Sequence, residues 1–364
     1  MRYLSFFVAA LIAVTACQPE SDKSSESSYD PALDTLKYEQ EVHLKNVRQL
    51  TFGADNAEAY WSYDNTKLIF QSNNPEWGVD CDQVFYMDIT PKKEGDQPPM
   101  ISTGQGRTTC SFFMPGDSLA VYSTTHMDDP NCPPEPDRSG GAYVWPVYEG
   151  YDIVVADLQG NTVDTLTHTP GYDAEPTLSP QGDKIVFTSM RSGDLELYIM
   201  DTDGSNVVQV TDELGYDGGA FFSPDGKQLV FRASRPKTEE EISKYKSLLE
   251  QGLVEPTNME LFVVNVDGSG LKQITDLGNA NWAPYFHPSG DKIIFSSNHK
   301  SKRGFPFNLF MINTDGTGLK QITFDDTFDS FPMFSYDGEK IVFGSNRHNG
   351  GDRSTNIFVA DWVE

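Results

Sequence analysis

The sequence predicts an all-β fold, a six-bladed β-propeller of four-stranded blades closed by the N-terminal strand completing the C-terminal blade. Three observations predict it. One repeat occurs in six copies, each copy holds four strand-like stretches, and the two chain ends are each a fragment of one copy.

The repeat reads as an apolar strand, an SPDG-like turn, a strand ending in Phe and Ser, a third strand, a DG turn and a fourth strand ending in Thr. Four strong copies, "AEPTLSPQGDKIVFTS", "GGAFFSPDGKQLVFRA", "WAPYFHPSGDKIIFSS" and "SFPMFSYDGEKIVFGS", begin at Ala174, Gly218, Trp282 and Ser330. Two weaker copies, "AEAYWSYDNTKLIFQS" and "TCSFFMPGDSLAVYST", begin at Ala57 and Thr109. These starts number the blades 1 to 6 along the chain. Third strands follow, as in "ELYIMDTDG", "ELFVVNVDG" and "NLFMINTDG", then fourth strands such as "NVVQVT" and "GLKQIT". The turn glycines supply the positive φ that a tight hairpin needs. The last copy stops after its third strand, "NIFVADWVE", and the folded region opens on an orphan fourth strand, "NVRQLT". Pairing the two completes a blade and removes two free sheet edges.

Ahead of the repeats, the sequence divides into a signal segment (1–16), a disordered tether (17–40) and the propeller (41–364). Arg2 precedes an apolar run over residues 4–14, the length of a signal-peptide core and too short to span a bilayer. It ends in Val14-Thr15-Ala16-Cys17, which resembles a lipobox, so Cys17 is the expected lipidation site. Residues 18–30 are rich in Ser, Glu and Asp and cannot bury enough apolar surface to fold. Gln18, rather than Asp, after the cysteine resembles the pattern of outer-membrane retention. The expected location is therefore the cell envelope, lipid-anchored, on the periplasmic or surface side of the outer membrane.

Composition narrows the function classes. The formal net charge of −27 argues against nucleic acid and against docking on anionic lipid. Membrane contact is then expected through the lipid anchor only, and the protein is expected to be monomeric. Cys81, Cys110 and Cys132 remain after Cys17, and an exported chain is expected to oxidise one pair among them, the pairing being open. No zinc-type cysteine spacing occurs, and no metal or cofactor is expected.

The six units are similar to the TolB-type propeller repeat, and the similarity runs from about residue 46 to 364. It implies the propeller fold without implying one function. Proteins with this propeller include the periplasmic TolB translocation protein, propellers attached to peptidases, and oligogalacturonate lyases. The chain departs from TolB in having no room for the α/β domain that precedes that propeller. It also has no GxSxG, so a peptidase reading lacks its nucleophile.

Site residues follow from blade geometry. The long insertions, at 73–80, 125–150, 234–258, 298–307 and 346–355, all fall between second and third strands and hence on one face, where a binding surface is expected. In blade 4 the insertion reads as a helix capped by Thr238 and Glu241 and stopped at Gly252. In blade 2 it carries Tyr143, Trp145 and Tyr148, rings suited to stacking on a sugar or clasping a peptide. Two positions 18 residues apart recur in every blade. Where the first is Asp the second is Arg, predicting structural pairs Asp173–Arg191, Asp217–Arg235 and Asp329–Arg347. Blades 1, 2 and 5 lack the pair, and their Glu58, Arg107, His126, Trp145, Asn281 and His299 are the expected ligand-binding residues. The expected function is a binding or scaffold module for an envelope protein, peptide or glycan, with no catalytic residues. The alternative is a lyase-like propeller acting on acidic oligosaccharides.

Overall fold

The computed structural model describes residues 34–137, 143–302 and 304–364. The signal segment, Cys17 and the tether as far as residue 33 lie outside them. Among the described residues the chain forms six antiparallel sheets arranged as propeller blades, plus a two-stranded ribbon joining two insertions. Blades 2 to 5 each hold four strands in sequence order, as in Asp173–Leu178, Lys184–Ser189, Glu196–Asp201 and Val208–Gln209 of blade 3. In blade 6 the strand Leu44–Gln49 lies outermost against Asn356–Trp362, which closes the ring. Blade 1 has three strands, and its fourth survives only as a bridge between Phe85 and Met100. Pro98 and Pro99 precede that bridge and have no N–H to donate to a ladder.

The signature residues have identifiable work in the ladder. The middle strands, such as "KIVFTS", are buried on both faces because neighbouring blades cover them, so they are continuously apolar rather than alternating. The threonine ending each fourth strand accepts a hydrogen bond from the backbone N–H that opens the third strand. Thr167 does so from Ile153, Thr211 from Leu197, Thr275 from Leu261 and Thr323 from Leu309, all at 2.8–2.9 Å. Ser102 plays the part for Val84 in blade 1. Thr51 plays it for Ile357, so the same latch seals the ring.

The N-terminal segment departs from the expected tether. From residue 34 it is packed: Asp34 accepts from Val47 N–H, Tyr38 donates to Asp325, and Arg347 lies over the Tyr38 ring. Glu41 is fully buried against Arg347. Leu36 packs against the apolar cluster of blades 5 and 6, and the Tyr38 ring lies under Arg347, so this stretch has groups to bury.

The disulfide joins Cys81 to Cys132, from the insertions of blades 1 and 2, and Cys110 is a buried free thiol. The blade-4 helix spans Glu239–Leu249 with both halves of its capping box formed by Thr238 and Glu241. Tyr245 and Leu249 pack into the apolar cluster beneath the insertions, and the Tyr245 hydroxyl donates to Asp194.

Candidate functional site

Every innermost strand carries a β-bulge at its third residue, and that residue adopts a left-handed conformation. The six positions are Glu58, Cys110, Glu175, Gly219, Ala283 and Phe331, five of them non-glycine with φ between 42° and 59°. A bulge re-aims its side chain out of the pleat, and here all six residues line one cavity of about 630 Å³ at the propeller axis. Sixfold repetition of the strained conformation makes it a device of the fold, while the differing side chains make the cavity asymmetric. Polar groups occupy blades 1 to 3, and an apolar group occupies blade 6.

Two residues further along four of the six inner strands, Tyr60, Phe112, Phe221 and Tyr285 meet across the axis, with ring centroids 5.2–6.4 Å apart along the chain of contacts. Of these rings, Tyr60 and Phe221 line the cavity and form its floor, and Phe112 and Tyr285 back them. Its roof comes from the insertions of blades 2 and 4, which pair as a ribbon in which Trp145 faces Val254 and Pro146 faces Leu253. Trp145 sits between the Trp282 ring, 5.0 Å away, and the Arg232 guanidinium, 5.3 Å away.

The charged groups form two matched clusters and one leftover. Arg232 pairs with Glu175, and Tyr216 Oη lies 2.6 Å from Arg232 Nη2 and 3.0 Å from Glu175 Oε1. Burial alone would raise the Glu175 carboxyl, but the charge and hydrogen bond of Arg232 outweigh it and hold the group below its ordinary value. Arg107 pairs with Asp82 at 3.2 Å and with Glu135. Glu58 has no ion-pair partner among the described residues; its Oε2 accepts from the Cys110 thiol at 2.9 Å. Burial pushes its carboxyl up to about 7, and burial raises the Cys110 thiol well above its usual range.

The shifted Glu58 has a measurable consequence. The unfolded carboxyl ionises near 4.5, so the folded protein holds the proton more tightly and loses stability as pH rises from about 4.5 through about 7. Glu58→Gln lacks this loss. The stability of the variant relative to the wild type is expected to grow across that window by about 1–3 kcal/mol and then level off. Denaturant unfolding on both sides of the window checks this, and a difference independent of pH refutes it.

Of the residues expected to bind ligand, Glu58, Arg107 and Trp145 line the cavity, whereas His126, Asn281 and His299 do not. The three excluded residues stand where other blades carry the Asp–Arg pair, at the outer ends of the strands, and they serve those ends. His126 bonds Thr124 Oγ1 at 2.7 Å, His299 bonds Ser297 Oγ at 2.8 Å, and Asn281 donates to Met259 O at 2.9 Å. Burial lowers both imidazole pKa values, leaving them neutral. In the paired blades the carboxylates and guanidiniums are in contact, with Nη2–Oδ2 at 2.8 Å for Arg191–Asp173 and 3.0 Å for both Arg235–Asp217 and Arg347–Asp329. Arg107 is engaged by carboxylates of the protein rather than waiting for one from a ligand. Sequence reasoning missed Glu175 and Arg232. Their signal was present: Arg232 stands where the other blades have Gln71, Ser123, Thr188, Ser296 and Gly344.

Among the described residues no group of three His, Cys, Asp or Glu is placed to hold a metal ion. No helix of the described residues is long and apolar enough to cross a membrane.

A family model described as the TolB beta propeller domain matches residues 122–242. The fold is that of the TolB-type β-propellers. The chain is 18% identical to a putative TolB from Agrobacterium tumefaciens, with a TM-score of 0.55 over 87% of this chain and 97% of that one. It is 18% identical to TolB from Acinetobacter baumannii, with a TM-score of 0.56 over 83% of this chain and 65% of that one. At these identities the likeness is one of fold. A 39-residue stretch is 46% identical to an uncharacterized protein of Agrobacterium fabrum, covering 11% of this chain and 13% of that protein.

Proposed function

We propose that this TolB-type propeller is an envelope binding module whose ligand, a small molecule or the end of a peptide or glycan, seats in the roofed cavity at the axis. The observation that carries the reading is the cavity itself. It holds about 630 Å³, within the range of small-molecule sites. Its floor carries the Tyr60 and Phe221 rings, its walls are strand bulges, and its arginines are held in place by carboxylates of the protein. The roof is a ribbon made by two insertions from blades that are not neighbours, an arrangement the propeller does not need for its own closure. Envelope anchoring through lipidated Cys17 belongs to the same reading and rests on the sequence ahead of the described residues.

The test is a panel of peptides, neutral glycans and acidic oligosaccharides screened by thermal shift, followed by hydrogen exchange with any hit. A ligand is expected to protect the segments around Trp145, Val254 and Phe305, and Trp145→Ala is expected to weaken it about tenfold or more. Protection confined to the SPDG-turn face overturns the assignment. Conversion of an acidic oligosaccharide to unsaturated products would replace binding with catalysis.

A further inference from the structure

We infer that the cavity selects a cationic amphiphile, with an ammonium or guanidinium head against Glu58 and an apolar body along the aromatic wall of blades 5 and 6. This rests on the binding reading above and adds the chemistry of the ligand.

The charge inventory comes first. Among the described residues, four carboxylates line the cavity, Glu58, Asp82, Glu135 and Glu175, against two guanidiniums, Arg107 and Arg232. Both guanidiniums are matched inside the protein, Arg107 by Asp82 and Glu135, and Arg232 by Glu175. An anionic ligand would have to break one of those clusters and leave a carboxylate unpaired in a desolvated place, which is costly. A cation has nothing to break. Glu58 offers it a carboxylate whose contact among the described residues is a thiol, a weak donor.

Position agrees with charge. Going round the ring, Glu58 in blade 1 neighbours Phe331 in blade 6, and beyond Phe331 the bulge residue of blade 5 is only Ala283. Gly219 in blade 4 leaves no comparable room, because the Arg232 guanidinium fills the space where a side chain would stand. The free volume therefore runs from Glu58 past Phe331 towards Ala283. The wall on that side is a continuous set of rings, with Trp282 stacked on Phe307 at 4.4 Å, Phe307 edge-on to Phe328 at 5.6 Å and Phe328 edge-on to Phe331 at 6.3 Å. Phe305 extends it to the rim, where it stands exposed. Aromatic faces suit both an apolar body and the periphery of an ammonium head.

The titration of Glu58 fits a cation-binding role. Besides burial, its surroundings are Cys110, Glu175, Arg232 and Asp82, and together they leave the carboxyl close to half protonated near neutral pH. An arriving cation favours the ionised form, so binding should expel the proton.

The experiment is calorimetric titration of the purified protein with 4-phenylbutylamine, 4-phenylbutanol and 4-phenylbutyrate, which share a body and differ in charge. The amine is expected to bind at least tenfold more tightly than the alcohol and the carboxylate. Its heat should differ between buffers of different ionisation enthalpy in proportion to release of roughly half a proton at pH 7. Glu58→Gln should cost the amine tenfold or more and leave the alcohol unchanged, while Phe331→Ala should weaken both; thermal unfolding of each variant verifies that it is folded. The inference is overturned if alcohol or carboxylate binds as well as the amine, if Glu58→Gln binds the amine undiminished, or if the amine does not bind. In each of those cases the wider panel decides the separate question: a non-cationic ligand protecting the cavity keeps the binding reading, and no protection removes that too.

Discussion

Arg347→Ala is expected to destabilise the propeller by about 3–5 kcal/mol, enough to open its ring at ordinary temperature. Arg347 is fully buried and holds three partners at once. Its Nη atoms donate to both Glu41 oxygens at 3.0 Å, to Asp329 at 3.0 Å and to the Leu36 carbonyl at 3.2 Å. Asp329 belongs to the inner strand of blade 6, and Leu36 and Glu41 belong to the segment leading into the closing strand. The guanidinium therefore ties the innermost and outermost parts of the closing blade together. Without it, two carboxylates share a dry site with no counter-charge. Burial already pushes Asp329 up to about 6 against the pull of Arg347. In the variant Asp329 should take up a proton more readily still, so the deficit should be larger at pH 8 than at pH 5. Denaturant unfolding at the two pH values measures it. A loss below about 1 kcal/mol, or a deficit that grows on acidification, refutes the account. Glu41→Gln with Asp329→Asn in the Arg347→Ala background should recover part of the loss, because it removes the unpaired charges.

Arg232→Met is expected to cost a similar amount, about 3–5 kcal/mol, and to do so inside the candidate site. The arginine neutralises Glu175, bonds Tyr216 and supports Trp145. Thr188 and the Gly219 N–H still donate to Glu175 at 2.7 and 2.9 Å, but neither carries charge. In the wild type the Glu175 carboxyl ionises below its ordinary 4.5, so the cluster's contribution is complete above that pH and is lost as pH falls through the lower folded value. In the variant the sign reverses, since an unpaired buried carboxylate binds its proton more tightly folded than unfolded. Stability of Arg232→Met should accordingly fall as pH rises from about 4.5, and Glu175→Gln added to it should remove that fall. Gly219→Ala gives an independent check. Its Cβ would meet the Arg232 guanidinium, at a φ of +60° that alanine tolerates poorly, so it should be less harmful with Met at position 232. A strictly additive double variant would refute the contact.

The site residues differ in how far they were legible. Glu58 was visible as an acid on an otherwise apolar inner strand. Arg107 and Trp145 were visible as unusual groups on the elaborated face. His126, Asn281 and His299 misled because position on a face was taken for position in a cavity. They stand at strand ends, where the local need is to cap a terminal N–H through Thr124 or Ser297, and that need is met within the blade. Glu175 was passed over because its partner lies 57 residues away in the next blade. The same distance in sequence hid the partners of Arg107, of which Glu135 sits in an insertion with no repeat to align it.

The sequence by itself determined the propeller, its blade number, its closure and the three Asp–Arg pairs, because each depends on short-range signals written several times over. A turn glycine, an apolar strand or a latch threonine has the same neighbours in every blade, so repetition averages out local exceptions. Only the tertiary structure decided which bulge residues share the axis, that residues 145–146 pair with 253–254 above them, and that Cys132 takes Cys81 rather than Cys110. These depend on where non-repeated insertions come to rest. That is set by the packing of Trp145, Tyr148, Tyr245 and Leu249 into one apolar cluster, a long-range contact with no period along the chain to betray it.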